Sequence, residues 1–177
     1  SNSKIKLIKK EINLFLIKYI KKSLRFNKVF VHRDFHIENL ILYKKRISFL
    51  DTQDAVYGHP AYDLTSLIDD VRINISKKEQ ITIYNYYLKK TKSIHEDFDF
   101  YFHILSIQRL LKILGIFLRL YKRDDKIKYL KFIPNFFLKL IRNVFYKMKS
   151  EKPLVRRLKK ISKDWLISKE DRLIGYF

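Results

Sequence analysis

Eight consecutive residues, 32–39, carry the side chains best suited to chemistry. They read His-Arg-Asp-Phe-His-Ile-Glu-Asn and match the pattern H-R-D-x-x-x-x-N, with Asp34 in third place and Asn39 in last place. In that pattern the aspartate contacts an acceptor hydroxyl, and the asparagine five residues later binds a metal ion. The chemistry is phosphoryl transfer, which needs an anionic group near the attacking hydroxyl and oxygen ligands for the ion that neutralises the phosphates.

A further carboxylate, Asp51, follows twelve residues after Asn39, at the end of an apolar run. A strand ending there would bring a second oxygen ligand for Mg²⁺ to the loop that holds Asp34. The alternative is that Asp34 and Asp51 are ordinary loop carboxylates that cap turns. The full motif and its strand context favour the catalytic interpretation.

Short strands are expected on both sides of this loop. Three apolar runs predict them: 29–31, 40–43 and 47–50. The polar residues 44–46 form a turn between the last two strands, so these make a hairpin. Gly58 and Pro60 mark a loop, after which 63–71 can start a helix.

Helical periodicity dominates the remainder of the chain. Apolar residues recur at intervals of three and four in five segments: 4–24, 81–90, 98–121, 127–148 and 154–165. Pro134 should kink the fourth segment or divide it in two. The predicted fold class is α+β and mainly α-helical, with a short β-hairpin carrying the catalytic and metal loops.

Composition excludes several classes of protein. The 177 residues are 47% apolar and 15% aromatic, which is enough for a buried core and excludes a disordered tail. Cysteine is absent, so disulfides, thiolate metal sites and cysteine nucleophiles are excluded. No run without a charged residue exceeds nine residues, against the roughly 20 that cross a bilayer, so no membrane span is predicted and a cytoplasmic location is expected.

The net charge of +21 suggests a polyanionic partner, but lysine-rich drift in an AT-rich genome would produce the same excess and is the favoured explanation. The distribution of charge is more informative than the total. Residues 34–70 hold seven acids and three bases, a sum of −4 that leaves +25 for the rest. Clustered carboxylates repel one another unless they are capped or gather around a cation, so this acidic segment points to a metal or catalytic site. Glu38, a loop carboxylate, is expected to be solvated.

Two blocks of sequence, 31–40 and 49–67, resemble the aminoglycoside phosphotransferase family, a relative of the protein kinases. The second block contains Leu-Asp-Thr-Gln-Asp and, further on, Gly-His-Pro-Ala-Tyr-Asp-Leu. A third stretch, 108–120, is similar to a helix of the anomeric sugar kinases that act on N-acetylmuramate and N-acetylglucosamine. The first two blocks are specific for the wider family, and the third is a softer basis for the substrate.

The resemblance implies a role for each matching residue. Asp34 would be the catalytic base or the carboxylate that orients the hydroxyl, and Asn39 and Asp51 would hold Mg²⁺. His32 and Asp63 would support the catalytic loop, Asp63 through hydrogen bonds to its backbone. Four further residues are candidates for substrate contact, each with a structural role as the alternative: His36, Asp54, Gln108 and Arg109.

Departures from the pattern narrow the interpretation. Thr-Gln follows Asp51 in place of Phe-Gly, and no Ala-Pro-Glu follows, so a regulated protein kinase is disfavoured. The three glycines, at positions 58, 115 and 175, form no phosphate-binding loop, and no Lys-bearing strand can be placed upstream. Residues 1–177 are therefore predicted to be a single C-terminal catalytic lobe without the N-terminal lobe that covers ATP. A fragment of a longer gene product is favoured over a lobe supplied by a second chain or a decayed lobe.

These observations predict an ATP- and Mg²⁺-dependent kinase whose acceptor is the anomeric hydroxyl of an N-acetyl amino sugar in cell-wall recycling. Its partners would be a nucleotide, the sugar and the missing lobe. The charge of +14 over residues 100–177 disfavours a polycationic acceptor. The alternatives are a choline or aminoglycoside kinase and a non-catalytic basic module that binds nucleic acid or an anionic surface. The intact set of Asp34, Asn39 and Asp51 disfavours the latter.

Overall fold

The computed structural model describes residues 28–91 and 97–147, with the side chains described as far as Asn143. It also describes four separate helical residues near the N-terminus: Lys10, Asn13, Leu14 and Ile17. The predicted helix over 154–165 lies outside the described residues, and so does most of the one over 4–24.

The strands form two separate antiparallel ribbons. Strand β1 (Val29–Val31) pairs with β4 (Val56–Gly58), and β2 (Leu40–Tyr43) pairs with β3 (Arg46–Phe49). The second ribbon is the predicted hairpin. The sequence-based expectation of a loop around Gly58 was wrong for 56–58, which form the partner of β1.

The hairpin turn is shorter than predicted. Tyr43 pairs with Arg46, so only Lys44 and Lys45 lie between the strands. Their φ angles of 44° and 62° are those of a two-residue turn whose twist matches that of the strands. Arg46 is therefore the first residue of β3 and not part of the turn.

Helices make up most of the described chain: α1 (Ala61–Ile68), α2 (Lys77–Thr91), α3 (Phe98–Asp124) and α4 (Ile133–Lys147), with a 3₁₀ segment at Ile127–Phe132. Helix α1 begins earlier than the predicted 63–71 because Pro60, with φ −60°, is preset for the first turn. Pro134 stands second in α4, and the predicted segment 127–148 is divided there into a 3₁₀ and an α-helical part.

The chain divides into two compact units, residues 1–109 and 110–177. The core of the first unit lies between α1, α2 and the start of α3. Its buried side chains are Ala61, Leu64, Ile68, Phe98, Phe102 and Leu105. Tyr84 and Tyr87 of α2 pack against this cluster, and the Tyr87 hydroxyl donates to the Pro60 carbonyl at 2.7 Å. This core fixes α1, which carries Asp63.

The second unit is described from the later part of α3 to the end of α4. The Phe117 ring lies 5.1 Å from the Tyr129 ring and 5.7 Å from the Phe132 ring. Ile133, Phe136 and Leu140 of α4 are buried.

Among the described helices, α3 has the length and composition that would permit a membrane crossing. Half of its most apolar stretch is buried within the protein, and core helices pass the same test. Phe98, Phe102 and Leu105 supply part of the core of the first unit. Packing in this core therefore explains part of the apolar composition of α3.

Candidate active site

The loop between β1 and β2, residues 32–39, is held at its start by Asp63 of α1. One carboxylate oxygen accepts the backbone N–H of His32 at 2.7 Å, and the other accepts that of Arg33 at 3.0 Å. Arg33 has a φ of 73°, a left-handed conformation that persists only where the surroundings fix it. Burial raises the pKa of Asp63, although the two backbone hydrogen bonds oppose that rise.

His32 connects this loop to the end of β3. Its ring is buried, and Nε2 lies 2.8 Å from the Leu50 carbonyl oxygen. A carbonyl only accepts, so Nε2 carries the proton and donates. The ring thereby ties the start of the loop to the residue before Asp51.

The interior of the loop is folded around the backbone of Asp34. Its carbonyl oxygen accepts the His36 N–H at 3.0 Å and the Asn39 side-chain amide, also at 3.0 Å. Asp34 is half-buried, and these contacts use its backbone, so they leave its carboxylate available. Asp34 and Asn39 are therefore held close together, as the phosphoryl-transfer pattern requires.

Asn39 and Asp51 stand at the same end of the hairpin. Leu40 pairs with Phe49, and the Leu50 N–H donates to the Asn39 carbonyl at 3.0 Å. Asp51 is exposed and has a left-handed φ of 60°. The register brings the two predicted metal ligands together across the ribbon.

The donor atoms fit a hard cation. The Asn39 amide nitrogen is used on Asp34, which leaves the side-chain oxygen for a metal, and the carboxylate of Asp51 is solvent-exposed. Within the part of the chain that the structure describes, no three His, Cys, Asp or Glu residues gather around a common metal position. The candidate site thus relies on one amide and one carboxylate, a set typical of Mg²⁺ sites that also use phosphate oxygens.

A second group of charges, which the sequence analysis missed, lies beside the loop. The Arg72 guanidinium donates to the buried Asp70 carboxylate at 2.7 and 2.8 Å, and to Glu38 at 2.6 Å. Burial raises the pKa of Asp70, but the hydrogen bonds and charge of Arg72 outweigh it and hold that pKa below its usual value. Glu38 is exposed, as expected for a loop carboxylate, and it is also ion-paired with Arg72.

The four candidate substrate residues occupy different environments. His36 is half-buried, and burial, then the charge of Arg72, lower its pKa. Asp54 is exposed, and its backbone carbonyl accepts from the Arg33 guanidinium at 3.3 Å. These two lie on the loops next to Asp34 and Asp51.

Gln108 and Arg109 lie in α3. Arg109 is only 4% exposed, and burial lowers its pKa, while the negative charges of Asp70 and Asp34 act in the opposite direction. Its Nη1 and the Gln108 side-chain oxygen have no hydrogen-bond partner among the described residues. A buried guanidinium near Asp34 could orient an acceptor or support the catalytic loop.

This geometry, an aspartate and an asparagine on a loop fixed by a helix-borne carboxylate, is that of a phosphotransferase. The model of a phosphotransferase enzyme family matches residues 6–99, more than half of the chain. The chain belongs to that family, and the resemblance drawn from 31–40 and 49–67 is confirmed.

Curated relatives narrow the likeness. The chain is 44% identical over 116 residues to the N-acetylmuramate/N-acetylglucosamine kinase of Neisseria meningitidis, a match that covers 62% of this chain and 35% of the relative. The kinase of the same name from Caulobacter vibrioides is 39% identical over 118 residues, covering 63% and 32%. The one from Pseudomonas aeruginosa is 35% identical over 125 residues, covering 67% and 37%. The chain thus spans about a third of the length of these relatives.

Proposed function

We propose that this chain is the catalytic lobe of an ATP- and Mg²⁺-dependent kinase of N-acetyl amino sugars. The acceptor is the anomeric hydroxyl of N-acetylmuramate or N-acetylglucosamine, and the setting is cytoplasmic cell-wall recycling. The observation that carries the proposal is the loop 32–39, in which Asp34 and Asn39 are joined by a 3.0 Å hydrogen bond at the open end of the hairpin. The names of the relatives support the choice of acceptor.

In this mechanism the Asp34 carboxylate receives a hydrogen bond from the sugar hydroxyl and orients its oxygen towards the γ-phosphorus. Asp34 takes the hydroxyl proton as the bond from the sugar oxygen to the γ-phosphorus forms, while the bond from the γ-phosphorus to the β–γ bridging oxygen breaks and ADP leaves. The Asn39 side-chain oxygen and the Asp51 carboxylate would hold Mg²⁺, which when bound neutralises charge on the phosphates. Asp63 and His32 keep the loop in place, so that little reorganisation is needed at the moment of transfer.

Binding of the nucleotide needs groups other than the residues described above. A lobe in the same gene product, or a second chain, would cover the nucleotide and position its phosphates. His36, Asp54, Gln108 and Arg109 are the proposed acceptor contacts. Arg109 is the strongest of these because it is buried and its Nη1 has no hydrogen-bond partner among the described residues.

The test is a coupled assay of ADP release by the full-length gene product with four acceptors: N-acetylmuramate, N-acetylglucosamine, choline and kanamycin. Turnover of the two amino sugars is expected. Turnover of only choline or kanamycin would show that the proposed acceptor class is wrong, while the proposed phosphoryl transfer would remain supported. No turnover with any acceptor, together with salt-sensitive binding to RNA, would favour the basic binding module.

The role of Asp34 is tested by Asp34→Asn, which keeps the size of the side chain and removes its basicity. We expect kcat to fall by about 100- to 10,000-fold, as for loss of a general base. Folding should be unaffected, because the described contacts of Asp34 use its backbone oxygen. Asp125→Asn, at an exposed left-handed position that asparagine tolerates, is the matched control and should leave kcat unchanged. Near-normal activity of Asp34→Asn would remove the residue from its role.

A further inference from the structure

Arg72 lies four residues beyond the end of α1 and bridges a buried carboxylate to the catalytic loop. Its Nε and Nη2 donate to the two oxygens of Asp70 at 2.8 and 2.7 Å. Its Nη1 donates to Glu38 at 2.6 Å and lies 3.5 Å from Nε2 of His36. One guanidinium therefore contacts both the protein interior and two side chains of the loop.

The interior end of this bridge is fixed. The Asp70 side chain is fully buried, whereas that of Arg72 is 20% exposed. Removing the guanidinium would take away the positive charge that donates hydrogen bonds to both oxygens of this buried carboxylate, which is strongly unfavourable. The two-point contact also fixes the plane of the guanidinium, so the direction in which Nη1 points is set before any ligand binds.

The loop end of the bridge lies within the catalytic segment. Glu38 is the middle residue of the single 3₁₀ turn Ile37–Asn39, directly before the proposed metal ligand Asn39. The Asn39 N–H donates to the His36 carbonyl at 2.9 Å, and its side chain donates to the Asp34 carbonyl. A shift of Glu38 would therefore be transmitted to Asn39 and Asp34.

Asp63 holds the other end of the same loop, through the N–H groups of His32 and Arg33. Between these residues and Glu38 the loop is supported by its own short-range hydrogen bonds. The Leu50 N–H holds the Asn39 carbonyl at the last residue of the loop, and Arg72 adds an attachment at Glu38, in the middle of the 3₁₀ turn. Without the attachment at Glu38, the turn could move relative to Asp34 by the small distances that matter for catalysis.

We propose that Arg72 is a positioning residue of the phosphotransfer reaction: anchored on Asp70, it holds Glu38 and His36 so that Asn39 and Asp34 keep their catalytic separation. The inference rests on the proposed kinase function. Arg72 touches neither acceptor nor nucleotide in this role and acts through the loop.

The kinetic test changes Glu38, whose side chain is 63% exposed, because its replacement leaves the buried Asp70–Arg72 pair intact. In the full-length enzyme, Glu38→Ala should lower kcat by about 10- to 100-fold with KM for ATP within about twofold of wild type. Glu38→Gln keeps an oxygen that accepts from Nη1 and should recover most of the lost rate. Equal losses in both variants would mean that Glu38 acts by its charge and not by its contact with Arg72, and would overturn the proposal.

A double-mutant cycle assigns the effect to the bridge itself. Arg72→Lys keeps the positive charge but lacks the fork that reaches Asp70 and Glu38 together. If the two residues act through one contact, Glu38→Ala combined with Arg72→Lys should be no slower than the slower single variant. Losses that multiply would show that Arg72 does not act through Glu38.

A readout independent of turnover separates this inference from the kinase proposal. Hydrogen exchange at the backbone amides of His36 and Asn39 should become faster in Glu38→Ala and stay near wild type in Glu38→Gln. The control is Glu79→Ala, which removes a carboxylate that caps α2 by accepting the Ser76 N–H and should leave exchange in the loop unchanged. If the wild type lacks kinase activity but hydrogen exchange in the loop becomes faster in Glu38→Ala, the structural role of Arg72 and Glu38 is supported and the proposed kinase function is wrong. If Glu38→Ala changes neither the activity nor the hydrogen exchange of the loop, the proposed role of Arg72 is wrong.

Discussion

At the scale of single residues, several carboxylates of the candidate site hold other parts of the protein and are not open to ligands. Asp63 uses both oxygens on adjacent backbone N–H groups and thereby pins a left-handed Arg33. Both oxygens of Asp70 accept hydrogen bonds from Arg72. Asp34, Asp51 and Asp54 have no side-chain hydrogen bond or ion pair among the contacts described above, so their carboxylates, like the Asn39 side-chain oxygen, are open to ligands.

The Asp63 contacts should have a measurable energetic value. Asp63→Ala leaves two partly buried N–H groups without acceptors, so we expect the free energy of unfolding to fall by about 2 to 4 kcal/mol. Asp63→Asn keeps one oxygen acceptor and avoids burying a charge, and should lose about half as much. Urea unfolding at pH 7 measures both. Equal stability of the two variants would show that the carboxylate geometry does not hold the loop.

His59 gives the fold a sensitivity to acid. Its Nδ1 accepts the Ala61 N–H at 3.1 Å at the start of α1, and its ring lies 5.4 Å from that of Tyr101. Burial lowers the pKa of His59 from 6.5 to about 4. Because the folded-state pKa is depressed, the stability due to the neutral ring is complete above pH 6.5 and is lost as the pH falls towards 4.

The comparison of wild type with His59→Asn isolates this effect, since asparagine retains an acceptor but does not titrate. The free energy of unfolding should be lower for the variant at pH 7.5, and the difference should narrow between pH 6.5 and 4. A difference that stays constant across that range would contradict the role assigned to His59.

At the scale of elements, the hairpin β2–β3 is what brings Asn39 and Asp51 together, and its turn is its weakest point. Lys44 and Lys45 both have positive φ, a conformation that costs a residue with a Cβ about 1 kcal/mol or more. The ribbon tolerates this turn because its twist fits the strands. The predicted site geometry therefore depends on a strained connection.

Replacing Lys44-Lys45 by Asn-Gly should relieve the strain and raise the free energy of unfolding by about 1 kcal/mol. The control variant, Ala at both positions, removes the same two charges without relieving the positive φ. Thermal unfolding of the three proteins at two salt concentrations distinguishes relief of backbone strain from loss of the two lysine charges. A gain of the same size in the alanine variant would assign the effect to charge.

The hairpin and the helices could be predicted because their signals are local: apolar runs beside a polar turn, and apolar residues at helical spacing. Strand β4 was missed because Val56-Tyr57-Gly58 is only three residues long and ends in a glycine two residues before Pro60. Arg72 was missed because its partner Glu38 is 34 residues away, and no local pattern predicts that contact. The motif gave the candidate residues of the site, but not the side chains that support them.

At the scale of the whole molecule, the acidic residues are concentrated in 34–70, and the rest of the chain is strongly basic. Four of the seven acids in 34–70 have protein partners. Asp69 accepts from the Ser106 hydroxyl, and the other three are Glu38, Asp63 and Asp70. The acidic segment is thus explained in part by loop support, which the sequence could not distinguish from a metal site. The rest of the chain carries a net charge of +25, which with the −4 of this segment gives the total of +21.

If the basic background acts on the acceptor, it should act on the carboxylate of N-acetylmuramate and not on neutral N-acetylglucosamine. Raising ionic strength from about 0.01 M to about 0.15 M shortens the Debye length from about 30 Å to about 8 Å. We expect kcat/KM for N-acetylmuramate to fall several-fold relative to that for N-acetylglucosamine, which is the matched control in the same full-length enzyme. A ratio that does not change with salt would show that the lysine excess plays no part in choosing the acceptor and would leave Arg109 as the residue to test for carboxylate recognition.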